Sequence, residues 1–179
     1  MQQIIVSGLG GQGVLFVTRL LADSAVKMGR SVLVSETHGM AQRGGNVISH
    51  LKVGSIEAGQ PLVSPLIRPG RADILLALHP EAILVHGHYP APDGEVFCNS
   101  TVPSARFHVL DASGIAAGLK SPVSANLVLL GFAAVSGKLF CGTAEIESAL
   151  ISIGGKRLEI SLRAFRAGFE VPPAASGSR

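Results

Sequence analysis

The sequence predicts a three-layer α/β domain on a mostly parallel sheet, with a helical C-terminal portion. Three observations predict it. Short β-rich apolar runs alternate with stretches of helical periodicity through the first two thirds of the chain. A glycine-rich turn, "GLGGQG" at Gly8 to Gly13, joins the first run to the first periodic stretch. From Ser121 onward only helical signals remain. With 179 residues, no internal repeat and no interdomain linker, one domain over 1–170 is expected. The tail 171–179, "VPPAASGSR", lacks apolar content and is expected to be loose.

"QIIVSG" reads as a buried strand ending at Gly8. Gln12 to Met28 reads as a helix: Val14, Val17, Leu21, Ala25 and Met28 recur at helical spacing, and Gly29 closes it. "SVLVS" is a second strand, and "NVISHLKV" a third, with a turn at Gly54. "IEAGQPLVSPLI" is extended, and its two prolines keep it from a sheet centre. "ADILLAL" is a buried strand, followed by a short helix from about Pro80. "DGEVFCN" is a turn and then a strand, and "RFHVLDA" is the last strand, with Asp111 or Ser113 as a cap. Ser121-Pro122 is a helix start, and Val123 to Val135, apolar almost all round, is a buried helix. Thr143 is expected to cap the next helix, with Glu145 and Glu147 in its first turn. The final helix is expected over Lys156 to Phe169, with Leu158, Leu162, Phe165 and Phe169 inward.

Composition narrows the function. Hydrophobic residues make up 47% and charged residues 15%. So little charge leaves part of the surface to be covered by a partner. A dispersed net charge of +3, with one Tyr and no Trp, argues against nucleic acid. No run approaches the ~18 apolar residues of a membrane span, and no basic region precedes an apolar one as in a signal peptide. Cys98 and Cys141 stand far apart, which argues against a disulfide framework or a cysteine-ligated cluster. Cytoplasm is the expected compartment.

Gly8-x-Gly10-x-x-Gly13 lies between a strand and a helix, the context that a phosphate-binding turn requires. Glycines there allow close backbone approach, and the helix N-terminus offers free N–H groups and partial positive charge. Gly8, Gly10, Gly11, Gln12 and Gly13 are therefore candidates for an anion or cofactor. Packing of helix on sheet is the alternative role. Glu36 ends the second strand about twenty residues on, where a dinucleotide site holds its ribose.

The next segment argues against a dinucleotide fold. A crossover to a parallel strand needs at least ~10–12 residues, usually with a helix. Glu36 to Gly45 has three glycines and no apolar periodicity, so it reads as a loop. The following strand is then more easily placed antiparallel or outside the parallel order. In "HGMAQRGG" the glycines Gly39, Gly44 and Gly45 surround Met40, Gln42 and Arg43, side chains suited to recognition. Arg43 can grip a carboxylate or phosphate in a forked pair, and His38 can titrate near neutral pH. A plain surface turn is the alternative.

These residues carry a resemblance. The run from Gly8 to Gly54 is similar to the start of the gamma-type domain of the 2-oxoacid:ferredoxin oxidoreductases. Its "SETHGMAQRGG" is most similar to the beta subunit of the indolepyruvate type. The likeness continues through "SPLI", "ADILLAL", "VLDASGIA", "ANLVLLG" and "AFRAGFE", up to Glu170. It implies a Rossmann-like domain in a hetero-oligomer. The implied reaction is oxidative decarboxylation of a 2-oxoacid to an acyl-CoA, with electrons passing to ferredoxin. Thiamine diphosphate, Mg and iron–sulfur clusters would belong to a larger companion subunit, and CoA to the complex. No catalytic residue and no metal site are expected on this chain. The sequence departs from the family where His79 follows "LLAL" instead of an acidic residue, and where Ser161 replaces a common Asn. A stand-alone dinucleotide-binding protein is the alternative reading.

Other residues are weighed more simply. His86 and His88, with His79 nearby, lack a third ligand at clear spacing and read as solvated loop histidines. Asn126, in an apolar helix, needs a partner: neighbouring backbone or a subunit interface. Lys156, Arg163 and Arg166 read as a solvated face. Cys98 has no base beside it, so it does not read as a nucleophile.

Overall fold

The structure, a computed structural model, describes residues 1–37, 45–54 and 64–170. In chain order the elements are β1 (Gln2–Leu9), α1 (Val14–Lys27), β2 (Val32–Thr37), β3 (Asn46–Val53), β4 (Ala72–Ala77), α2 (Glu81–His86), β5 (Pro90–Asn99), β6 (His108–Leu110) and α3 (Ala112–Gly118). A 3-10 turn (Pro122–Ser124) leads into α4 (Ala125–Val135), then α5 (Thr143–Ile153) and α6 (Leu158–Ala167).

The strands form one six-stranded sheet in the order β2-β3-β1-β4-β5-β6. β1, β4, β5 and β6 run parallel, with Ile4 opposite Ile74 and Phe97 opposite His108. β3 lies between β1 and β2, antiparallel to both. The connection from Thr37 to Asn46 is too short for a crossover, so the chain turns back as a hairpin, as its glycine content leads one to expect.

The two faces are covered unequally. On one, α1 and α3 to α6 bury Ile4, Val6, Leu51, Ile74, Leu76 and Phe97. α4 is the centre of this layer: every residue from Asn126 to Ala134 is buried. Burying each of Leu129 and Leu130 stabilises the fold by about 1.5–3 kcal/mol. On the other face Ile5, Leu75, Ala77, Val96 and Cys98 pack against Ala82 and Ile83 of α2, so this third layer is thin.

Local starts differ from expectation in four places. The first helix begins at Val14 rather than Gln12, after the left-handed Gly13. Thr143 is the first helical residue, not the cap. Gly142 precedes it and its N–H donates to Glu145 at 2.8 Å, because the acidic side chain reaches back over the turn. Ser121-Pro122 starts the 3-10 turn, and Ser121 Oγ meets Ser124 Oγ rather than a backbone N–H. The last helix begins at Leu158 instead of Lys156, after the positive-φ pair Gly154-Gly155. Asp111, as expected, caps α3 by accepting the Gly114 N–H. The tail 171–179 lies outside the described residues.

Candidate functional site

The carboxyl ends of β1, β4, β5 and β6 reach one edge of the sheet, where Leu9, Leu78, Asn99 and Asp111 begin the following connections. In open parallel sheets this edge is where ligands sit. Thr37, at the end of β2, and Asn46, at the start of β3, lie at the same edge. The Gly10 N–H donates to the Gly45 carbonyl at 2.9 Å. The glycine turn and the end of the second bend are thus tied side by side. His38, Gly39, Met40, Gln42, Arg43 and Gly44 lie outside the described residues.

The turn itself is built by close contacts. Gly8 is the penultimate residue of β1, and a Cβ there would come within 2.8 Å of Gln12 Oε1 and 2.9 Å of Leu78 Cβ. A side chain there would have to displace both. Gly13 caps α1 in the left-handed region, at φ 79°, and a Cβ on it would collide with the Asn126 amide nitrogen. α1 has no side-chain cap and no acidic residue in its first turn. Its first-turn N–H groups, which carry partial positive charge, therefore receive neither a side-chain cap nor an acidic neighbour from the helix itself.

Beside the turn lies a cavity of about 240 Å³, lined by Gly11, Gln12, Leu78, Asn99, Ser113, Pro122, Val123, Ala125 and Asn126. Asn99 is buried and ties its walls together. Its amide donates to Leu78 O and Ser113 Oγ, and its Oδ1 accepts the Ser113 N–H. Asn126 Oδ1 accepts the Leu127 N–H at 2.8 Å, and Gln12 Oε1 accepts the Leu9 N–H at 2.8 Å. Sequence reasoning places Gln12 here and weighs Asn126, which does bind neighbouring backbone. It misses Asn99 and reads Ser113 only as a possible cap. No spacing rule signals that pair, because β5–β6 pairing brings them together.

Glu36 is exposed on β2, two strands from β1. Strands are spaced about 4.7–4.9 Å, so Glu36 stands one strand further from the turn than a ribose-binding acid. The dinucleotide reading loses its second anchor.

The histidines are not all solvated, which corrects the expectation. His86 ends α2, half-buried, with Nδ1 2.7 Å from Ser7 Oγ. His50 is 3% exposed, accepts the Ile67 N–H and stands edge-on to Tyr89. Burial, then His86, then Lys52 lower the His50 pKa; burial, then His88, lower that of His86. Among the described residues no group of three or more metal-ligating side chains comes together. Burial pushes the Cys98 thiol up to about 11 and, with Glu145 nearby, that of Cys141 up to about 12, so both stay protonated at neutral pH. Arg166, expected on a solvated face, pairs with Glu147 through bonds of 2.7 and 2.9 Å.

Residues 3–171 match the pattern of the pyruvate ferredoxin/flavodoxin oxidoreductase family. The chain belongs to that family. It is 30% identical to the indolepyruvate oxidoreductase subunit IorB of Archaeoglobus fulgidus, over 93% of this chain and 92% of that one. It is also 30% identical to the 2-oxoglutarate synthase subunit KorC of the same organism, over 94% and 86%. Among solved structures it resembles the keto/oxoacid ferredoxin oxidoreductase gamma subunit of Geobacter sulfurreducens. The TM-score is 0.74 at 24% identity, over 95% of this chain and 97% of that one, a likeness of fold. Membership of this oxidoreductase family settles the choice of the earlier readings: the relatives are enzyme subunits, not stand-alone dinucleotide binders. No described helix is long and apolar enough to cross a membrane.

Proposed function

We propose that this chain is the gamma-type subunit of a cytoplasmic 2-oxoacid:ferredoxin oxidoreductase, of the indolepyruvate or pyruvate type. It helps convert a 2-oxoacid to an acyl-CoA by completing the active site of a larger companion. The companion carries thiamine diphosphate, Mg and iron–sulfur clusters and passes electrons to ferredoxin. The observation that carries this reading is the joining of the two glycine bends at one sheet edge by the Gly10–Gly45 hydrogen bond.

The loop Glu36 to Gly45, with His38, Met40, Gln42 and Arg43, faces the companion and shapes its substrate pocket. The turn Gly10 to Gly13 takes an anion, such as a CoA phosphate, on the uncapped end of α1. An apolar side chain at the cavity fits burial against a partner: Val123 is 67% exposed.

The test is reconstitution. The purified chain alone is expected to show no CoA-dependent oxidation of indolepyruvate or pyruvate. Mixed with its co-purifying companion, it restores reduction of ferredoxin. Arg43→Ala lowers turnover of the complex that still forms. Turnover by the isolated chain, or a companion fully active without it, overturns the assignment.

A further inference from the structure

The thin layer of the fold holds a buried histidine that the glycine turn does not use. His50 lies on that face of β3, 3% exposed, opposite Ile5 of β1 and Ser35 of β2. Its Nδ1 accepts the Ile67 N–H at 3.2 Å. A neutral imidazole has one protonated nitrogen and one lone pair, so this bond puts the proton on Nε2. A protonated imidazole has two N–H groups and no lone pair. The bond to Ile67 therefore exists only while His50 is neutral.

The chain at the other end of this bond is shallowly seated. Between Ser64 and Pro69 only Ile67 is buried, in one cluster with Ile5 and Ile48, while Leu66 is 53% exposed. Ser64 has φ 65°, the left-handed region that residues other than glycine seldom adopt. The segment is thus strained at one end and anchored by one side chain and the His50 bond. Past it, the Gly70 N–H donates to the His88 carbonyl at 2.9 Å, so the chain into β4 is tied separately.

We propose that His50 is a proton-released clasp: neutral, it seats the segment 64–69 on the thin face, and protonation at Nδ1 unseats that segment and uncovers Ile5, Ile48 and Ile67. The step takes one proton from solvent, breaks the bond to Ile67 and leaves the Ile67 N–H to water. The neighbours set its direction. Burial, then His86 of α2, then Lys52 of the same strand lower the His50 pKa from 6.5. Tyr89 stands edge-on to the ring at 5.4 Å, with His88 against Tyr89 at 4.5 Å. Ile5 and Ser35 carry no charge, and Glu57 lies outside the described residues. The closed form has the lowered pKa and the open, hydrated form the ordinary one. The clasp is fully closed above 6.5 and is lost as pH falls from there through the lowered value.

Amide hydrogen exchange on the full chain, followed by NMR, tests this. Protection of the Ile67 amide, corrected for intrinsic rate, is expected to fall about ten-fold per pH unit below 6.5, because one proton is taken up per opening. It levels off at the midpoint of the His50 ring titration, and the Val6 amide in β1 stays better protected throughout. His50→Asn places an oxygen acceptor where Nδ1 stood and does not titrate. It is expected to keep Ile67 protection above 6.5 and to flatten the profile below it. Melting curves check that it folds. His86→Asn keeps an acceptor for Ser7 and removes a neighbouring positive charge, so it raises the His50 midpoint and the Ile67 profile together. Ile67 protection that ignores the His50 titration in wild type overturns the clasp. So does a loss matched by Val6, a folded His50→Asn that keeps the slope, or a His50 midpoint that moves in His86→Asn without Ile67.

Discussion

Replacing Gly13 with Ala tests the joint between the glycine turn and α4. Gly13 is at φ 79° and ψ 31°, a left-handed conformation that costs an L-residue roughly 1–2 kcal/mol. The stiffer unfolded chain offsets about 0.4–1 kcal/mol of that. The larger part comes from contact. The new methyl collides with Asn126 Nδ2, so the amide must swing away and release the Leu127 N–H. Stranding a buried polar group costs about 1–3 kcal/mol. The sum is roughly 1–4.6 kcal/mol, a fall in Tm of roughly 2–18 °C for a domain of this size. Urea unfolding followed by circular dichroism measures it, in wild type and in Asn126→Ala. With Asn126 shortened, only the backbone cost less that offset remains, roughly 0–1.6 kcal/mol, so the two changes are non-additive by about 1–3 kcal/mol. Equal cost of Gly13→Ala in both backgrounds would refute the contact. No cost in either would refute the left-handed cap.

Other expectations rest on separate features. Ser49 is fully buried and its Oγ has no hydrogen-bond partner among the described residues, so Ser49→Ala should be neutral or stabilising by up to about 1 kcal/mol in urea unfolding. The lowered pKa values of His50 and His86 mean that the unfolded chain binds more protons below the ordinary 6.5. Stability should therefore be complete above that pH and fall as pH drops through it toward the lowered values, and melting at a series of pH values reads this slope. Replacing both with Gln should flatten it. Lys138, and then His108, hold the Glu95 carboxyl below its ordinary 4.5. The stability this adds is present above 4.5 and lost as pH falls through the lowered value. Lys138→Met should return the Glu95 titration, followed by carbon NMR, toward the ordinary range.

The first half of the fold was readable because its signals are local. A β-run, a glycine turn and helical periodicity from Val14 to Met28 specify strand, turn and helix without help from elsewhere. The antiparallel β3 was readable from a connection too short to cross over. The buried α4 was readable from an apolar surface with no polar stripe. What was missed depends on pairing between distant segments. Ser7 and His86 are 79 positions apart and meet only because α2 packs on β1. Asn99 reaches Ser113 across 14 positions because β5 pairs with β6. Glu36 misled because its spacing counts residues along the chain, whereas ribose binding depends on which strand is the neighbour.

That neighbour determines how this sheet edge is used. In a dinucleotide fold the second strand lies next to the first, and its terminal acid is about one strand spacing, 4.7–4.9 Å, from the glycine turn. Here β3 occupies that place, so the chain beside Gly10 is Gly45, the end of a hairpin. The Gly10 N–H is spent on that carbonyl. The Gln12 N–H is likewise spent, on the Leu9 carbonyl, and the cavity lies on the other side of the turn, where Ser113 and Asn126 stand. Inserting one antiparallel strand thus sets β2 apart from the turn, while the cavity beside it is walled by residues of α3 and α4. A fingerprint that elsewhere has an adenine-ribose acid on the neighbouring strand has, here, a cavity on one side and the anchor of a loop on the other.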